Sequence, residues 1–174
     1  CLDRKCHTSL TGNIILSDDM SSEAADQLHN GDQKFTFILT HAGTNLNGDH
    51  FLVDELRDNH QSAISTKIDL KHSQDLTDIV GGVIEARFKE TDNEFIECDG
   101  ELYTEDNPYA RLAHKLIRKG IVKQVSMECD YEEGECSICK KRVKSKKHYC
   151  LHLKKYKGRE YQGRLVYEIL HNIT

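Results

Sequence analysis

The 174-residue sequence lacks long hydrophobic runs and internal repeats, and it contains a single proline. A membrane-spanning helix needs about 18 consecutive apolar residues, and a secretory signal needs an apolar segment near the N-terminus. The sequence has neither a membrane-spanning segment nor a secretory signal, which favours a soluble, intracellular-type protein with no membrane contact. At about 150 residues per domain, the length predicts one domain. The sequence begins at Cys1 and ends at Thr174, which suggests a piece of a longer protein.

Acidic residues are missing from one segment of an otherwise acidic chain. Residues 140–159 contain ten Lys/Arg and no Asp/Glu, whereas residues 1–139 contain 13 Lys/Arg and 27 Asp/Glu, a net charge of −14. This split argues against uniform nucleic-acid binding, but it allows a local contact with nucleic acid or an acidic partner. A solvated lysine-rich loop is the simpler interpretation.

The seven cysteines are too unevenly spaced for a secreted disulfide framework, and their clustering favours a metal. Cys136 and Cys139 form a C-x2-C pair, and Cys150 with His152 supplies a second pair. Three thiolates and an imidazole suit tetrahedral zinc, and a site filled by four protein ligands would be structural. Cys129 or His148 could replace one ligand. Cys1, Cys6 and His7 could be the remaining half of another knuckle, but an unstructured terminus is the favoured interpretation. Cys98 is expected in a strand or core.

Periodicity and turn residues predict an α+β protein. Residues 35–40 favour a strand, and Asp49 is predicted to cap a helix that continues to about Gln61. The segments IVGGVIEARFK and EFIECDGELYT indicate a hairpin. Asn107 and Pro108 begin a helix that ends at Gly120. Strands are predicted over IVKQVSMECDY and over RLVYEILHNI.

Two of these segments carry a candidate nucleophile and base. In STKIDLKHS, alternation places His72 on the same face as Ile68 and Leu70. In IVKQVSMECDY, Ser126 points away from the apolar face. A serine nucleophile needs an imidazole to accept its proton and a third group to orient that imidazole. Periodicity alone does not bring His72 and Ser126 together, and a structural histidine is the alternative.

From about Phe35 to Ile173, the order of motifs resembles the prohead serine proteases of tailed bacteriophages, which are related in fold to herpesvirus assembly proteases. The motifs are, in order, GTNLNGDHF, KIDLKHS, DIVGGVIEA, GELYTEDNPYARLAHKLIRKG, IVKQVSMEC and LVYEILHNI. The sequence departs from common members at Met127 and Glu128, where many have a small residue and glycine. Its cysteine-rich insertion is absent from minimal members.

The resemblance implies a small β-barrel flanked by helices, covering residues 35–174 after a polar lead-in over 1–34, with a zinc-knuckle insertion at 132–159. Position by position, it implies Ser126 as nucleophile, His72 as general base and Glu168 as third member, with His171 as a rival. The implied enzyme is a serine endopeptidase, dimeric when active and independent of zinc in its chemistry. It would cleave phage capsid and scaffold proteins, and itself, inside the prohead in the host cytoplasm.

Two other functions compete with this prediction. One is a non-catalytic capsid-assembly module whose zinc knuckle and basic loop bind DNA or an acidic partner. The other is a zinc-dependent hydrolase, which the closed set of four protein ligands makes less favourable.

Overall fold

The computed structural model describes residues 6–15, 33–70, 75–105 and 107–174, with the backbone alone for residues 6–15. It is a mixed α+β structure whose main sheet curls into a half-barrel, which confirms the predicted α+β class. Of the described helices, none is both long and apolar enough to span a membrane.

The described strands are β1 Cys6–Ile15, β2 Lys34–His41, β3 Gly43–Thr44, β4 Asp49–Phe51, β5 Lys67–Asp69, β6 Ile79–Lys89, β7 Phe95–Leu102, β8 Gln124–Cys136, β9 Arg142–Val143, β10 Glu160–Tyr161, β11 Arg164–Leu165 and β12 Glu168–Ile173. Ten of them form the main sheet in the order β3-β4-β12-β8-β1-β2-β7-β6-β5, with β9 also paired to β8. Most neighbours are antiparallel, but β4 and β12 are parallel. A separate ribbon consists of β10 and β11.

The described α-helices are α1 Val53–Asn59, α2 Pro108–Arg118 and α3 Leu151–Tyr156. Helix α2 begins as predicted, because the Asn107 side chain accepts hydrogen bonds from the backbone N–H groups of Tyr109 and Ala110, at 2.9 and 3.2 Å. Its end is also as predicted, since Gly120 follows with a φ of 63°. The predicted hairpin is β6 and β7, which are paired along most of their length.

The predicted helix cap at Asp49 is wrong. Asp49 begins β4 and is 1% exposed, while Leu52 precedes α1 without any side-chain capping bond. Helix α1 is correspondingly short, and a 3-10 turn over His60–Ala63 follows it. A carboxylate before an apolar run resembles a cap locally, but its burial is decided by contacts from distant parts of the chain.

Strand β1 lies inside the sheet, between β8 and β2. Its residues fall in the segment that the sequence analysis places in the N-terminal lead-in, residues 1–34. Their sequence shows only a weak period-2 pattern, with Cys6, Leu10 and Ile14 at alternate positions, and the strand is established by its pairing with β8 and β2. The sheet therefore begins well before residue 35.

The largest hydrophobic cluster fills the curve of the sheet and includes Phe37, Phe51, Tyr131 and Leu170. Cys98, predicted in a strand or core, lies in β7 and is completely buried. A smaller cluster packs α2 against β6 and β7. A third lies beneath the cysteine-rich segment and combines Cys136, Val143, Leu153 and Val166. The inserted segment thus has a small core of its own, directly beside the end of β8.

Candidate metal centre and neighbouring charges

The four predicted metal ligands come together. Ligand atoms of Cys136, Cys139, Cys150 and His152 all lie within 4.8 Å of one another, and Cys150 Sγ is 4.0 Å from His152 Nδ1. Tetrahedral zinc with Zn–S bonds of about 2.3 Å needs sulfurs roughly 3.8 Å apart. The cluster could therefore hold a metal ion such as zinc after small side-chain adjustments.

Two structural elements present these ligands. Cys136 is the last residue of β8, and the chain then turns through Cys139 to Lys140, which has a φ of 58°. The turn is closed by a 2.9 Å hydrogen bond from Lys140 N to the Cys136 carbonyl. On the opposite side, Cys150 directly precedes α3 and His152 lies in its first turn. The metal would therefore join the end of a strand to the start of a helix.

The surroundings of the thiols favour a thiolate most clearly at Cys150. Burial opposes ionisation there, but hydrogen bonds from the backbone N–H of Leu153 and from neighbouring thiols lower the pKa of Cys150. Burial raises the pKa of Cys136 to about 11. Because a metal binds the thiolate, binding at Cys136 releases a proton at neutral pH.

The two residues considered as replacement ligands lie elsewhere. Cys129 is buried in the main hydrophobic cluster, where burial raises its pKa to about 12. His148 is exposed, and its Nδ1 lies 2.9 Å from Ser145 Oγ. Cys6 and His7 belong to β1, whose side chains are not described, and Cys1 lies outside the described residues.

A buried ionic cluster lies beside the candidate metal centre. Lys157 Nζ is 2.5 Å from Asp49 Oδ1 and 2.5 Å from Glu168 Oε2. Asp49 and Glu168 are 1% and 0% exposed, while the Lys157 side chain is 16% exposed. The hydroxyl of Tyr149 donates to Glu168 Oε2, and that of Tyr131 donates to Oε1 at 3.1 Å. One cation thus contacts both buried carboxylates, and two tyrosine hydroxyls donate further hydrogen bonds to Glu168.

These contacts shift the titration of the groups around Glu168. Burial alone would lower the pKa of Lys157, but the charges of Glu168 and Asp49 outweigh it and raise that pKa. Burial, together with the hydrogen bond to Glu168, raises the pKa of the Tyr149 hydroxyl. Lys157 is therefore charged, and Tyr149 neutral, throughout the physiological pH range.

Ser126 lies near the start of β8, opposite Thr11 of β1. Val125 and Met127 pack against the main core on either side of it, while Ser126 itself is exposed. His72, its proposed partner, lies outside the described residues, three positions after β5 ends at Asp69. Ile68 of β5 packs against the same core as Val125 and Met127.

The structure does not bring Glu168 to Ser126. Glu168 lies opposite Cys136 in the β12–β8 register, ten residues along β8 from the serine. At about 3.3 Å per residue, this separation is roughly 30 Å, far beyond hydrogen-bond reach. His171 lies opposite Glu133, seven residues from Ser126, with its Nε2 3.9 Å from Glu135 Oε2. Neither candidate for the third position contacts the serine.

The sequence analysis missed Asp49, Lys157 and Tyr149 as functional positions. Lys157 is one of ten basic residues in a run, and nothing in its immediate sequence separates it from its exposed neighbours. Gly48 and Gly158, which are the sequence neighbours of Asp49 and Lys157, are a weak sequence signal of a close backbone contact at these positions. A Cβ at Gly48 would lie 2.4 Å from Gly158 N, so both glycines allow these two turns to touch.

In comparisons with known proteins, no family model, no curated protein and no solved structure matches the chain.

Proposed function

We propose that the chain is a serine endopeptidase of phage capsid maturation, with Ser126 as nucleophile and His72 as general base. The proposal starts from the resemblance of the motif order to prohead proteases. Its substrates would be capsid and scaffold proteins inside the immature head, in the host cytoplasm, together with the enzyme's own chain.

The observation that carries the proposal is the setting of Ser126. Its side chain is exposed on β8, while Val125 and Met127 fix the strand to the core on both sides. A nucleophile needs this combination of an accessible hydroxyl and a rigid backbone. Strand β5, which ends three residues before His72, packs on the same hydrophobic cluster through Ile68, and it stands five positions from β8 in the strand order of the curled sheet.

The proposed reaction is peptide-bond hydrolysis through an acyl-enzyme. His72 accepts the hydroxyl proton as Ser126 Oγ attacks the peptide carbonyl carbon, and backbone N–H groups stabilise the resulting oxyanion. The C–N bond breaks, and His72 passes the proton to the leaving amine. Water then attacks the ester, its proton moves through His72 to Ser126 Oγ, and the carboxylic product leaves.

Glu168 has no direct part in this chemistry. Its carboxylate is engaged by Lys157, Tyr131 and Tyr149, at the opposite end of β8 from Ser126. We assign it to stabilising the fold around the metal centre, and the chemistry rests on the pair of Ser126 and His72.

The test pairs Ser126→Ala with Ser145→Ala, an identical change in the inserted segment. Each variant is co-expressed with a capsid or scaffold substrate, and each purified protein is treated with a fluorophosphonate probe, which labels activated serines. We expect processing and labelling to disappear in Ser126→Ala and in His72→Ala, but to persist in Ser145→Ala. Processing by Ser126→Ala at the wild-type rate would disprove the serine mechanism.

We propose that the four-ligand cluster binds one structural zinc ion. The ligands are three sulfurs and one imidazole nitrogen from the protein, a set typical of closed structural sites. Elemental analysis of protein purified without chelators should give about one zinc per chain, and Cys139→Ser should lose most of it. A wild-type protein with only trace zinc would contradict the assignment, while loss of proteolysis on chelation without unfolding would favour a zinc hydrolase.

One observation favours an additional contact with a polyanion such as DNA. In the described insertion, exposed cations without an ion-pair partner among the identified salt bridges include Lys141, Lys144, Lys147, Lys154 and Lys155. Binding through such a surface weakens steeply with salt. Electrophoretic shifts of a DNA duplex at 50 and 200 mM salt should show this loss, and no binding at 50 mM salt would exclude the contact.

A further inference from the structure

The segment that carries the metal ligands also supplies the cation of the buried ionic cluster. Lys157 directly follows α3, five residues after His152. At 1.5 Å per helical residue, these two positions are only about 7 Å apart along the chain. Whatever fixes the start of α3 therefore also fixes the position from which Lys157 reaches Asp49 and Glu168.

Residues on either side of the second ligand pair, Cys150 and His152, contact Glu168. Tyr149, immediately before Cys150, donates a hydrogen bond to its carboxylate, and Lys157 approaches the same oxygen from beyond α3. Cys136, from the first ligand pair, is the cross-strand neighbour of Glu168 in the β12–β8 register. Glu168 is therefore linked to both halves of the metal centre, through Tyr149 and Lys157 on one side and through strand pairing with Cys136 on the other.

The backbone after α3 is held closely against the main sheet. Gly158 N donates to the Val166 carbonyl at 2.8 Å, two residues before β12 begins. A Cβ at Gly48 would overlap the backbone of Gly158. Asp49 follows Gly48 directly, so this contact brings Lys157 and Asp49 together by backbone packing as well as by charge.

Helix α3 is too short to hold Lys157 in position without other contacts. It has six residues, whereas isolated helices shorter than about 12 residues are marginal in water. It is anchored by the burial of Leu153, and a metal bound to Cys150 and His152 would anchor its start. Two carboxylates buried without a cation are strongly unfavourable, so β4 and β12 depend on Lys157 being held in place.

We propose that metal binding at the Cys3His cluster acts as a conformational clamp on the main sheet, because the metal-bound segment holds Lys157 between Asp49 and Glu168. This inference rests on the metal-binding part of the proposed function and is independent of the protease reaction. Loss of the metal releases α3, withdraws Lys157 and loosens the edge of the sheet formed by β4 and β12.

The first test compares zinc-dependent stability in wild type, Lys157→Met and Lys155→Met, the last being an exposed lysine in α3. Saturating wild type with zinc at about 100 times Kd should raise Tm by roughly 5–10 °C. Lys155→Met should keep this rise, whereas Lys157→Met should lose at least half of it. Equal rises in wild type and Lys157→Met would overturn the clamp.

The second test uses wild type alone and does not depend on Lys157→Met folding. Hydrogen–deuterium exchange is measured with bound zinc and after chelation. We expect faster exchange after chelation in residues 49–51 and 168–173 as well as in 136–159, with β6 and β7 unchanged. Faster exchange confined to residues 136–159 would overturn the clamp. A protein that binds no zinc would instead refute the metal assignment itself.

Discussion

Replacing Glu168 with Gln separates a structural role of this residue from a catalytic one. Glutamine has almost the same shape, so it fits beside Gly134, where even an added Cβ would overlap the Glu168 carboxylate. The amide oxygen can accept the hydrogen bond from Tyr131, and the NH2 group in the place of Oε2 can donate to the Tyr149 hydroxyl oxygen. The substitution therefore removes chiefly the negative charge that faces Lys157 at 2.5 Å.

The expected loss of stability follows from the burial of the pair. Removing one partner of a buried ion pair costs about 3–5 kcal/mol. Lys157 retains Asp49 at 2.5 Å as a second anion, so the loss should be near the lower limit, about 3 kcal/mol. With an m-value of about 2 kcal/mol/M, this is a decrease of roughly 1.5 M in the urea midpoint, or roughly 6–12 °C in Tm.

The assay is urea unfolding of zinc-saturated Glu168→Gln, with Glu160→Gln as the matched control. Glu160 is an exposed residue of β10, and its replacement should leave the midpoint within about 0.3 M. Proteolytic activity per folded molecule is measured in parallel and should be unchanged by Glu168→Gln. An unchanged midpoint combined with lost activity would refute the structural assignment and restore Glu168 to the reaction.

Two further predictions concern other parts of the sheet. The hydrogen bond from Arg87 lowers the pKa of Asp99, so Asp99 stabilises the fold above its ordinary pKa and this contribution disappears as the carboxylate protonates. Asp99→Asn should be about 1 kcal/mol less stable at pH 7, and urea unfolding should show the difference shrinking below about pH 4; a difference that grows would contradict the prediction. Gly48→Ala should lower the free energy of unfolding by about 2 kcal/mol or more, because Gly48 combines a φ of 77° with a close backbone contact. Gly163→Ala, with a φ of 72° but open space around its Cβ position, should lose clearly less in thermal unfolding, and equal losses would exclude the close contact as a cause.

Elements defined by local signals could be predicted from the sequence. Asn107 and Gly120 lie within one helical turn of the two ends of α2 and therefore mark them. The β6–β7 hairpin joins segments that are neighbours in the sequence. The C-x2-C and C-x-H pairs similarly identified four residues that meet. In each case, the residues that determine the structure lie close together in the sequence.

Features that depend on distant contacts could not be predicted in this way. Strand β1 has only a weak apolar alternation, and its main pairing is with β8, more than a hundred residues later. Asp49 resembles a helix cap in its local sequence. Its burial depends on Lys157, which lies 108 positions later in the chain. The resemblance aligned Glu168 with a catalytic position in the last strand. Its register opposite Cys136, which separates it from Ser126, is a property of the folded sheet.

The contact between Asp49 and Lys157 has a consequence for the order of folding during synthesis. The two residues are 108 positions apart in the sequence, so closing this loop is entropically costly and slow compared with local pairing. A ribosome must release the chain through Lys157 before Asp49 meets its cation. Until then, β4 has neither Lys157 nor its neighbouring strand β12, and we expect this edge to be the last part of the sheet to become resistant to proteolysis.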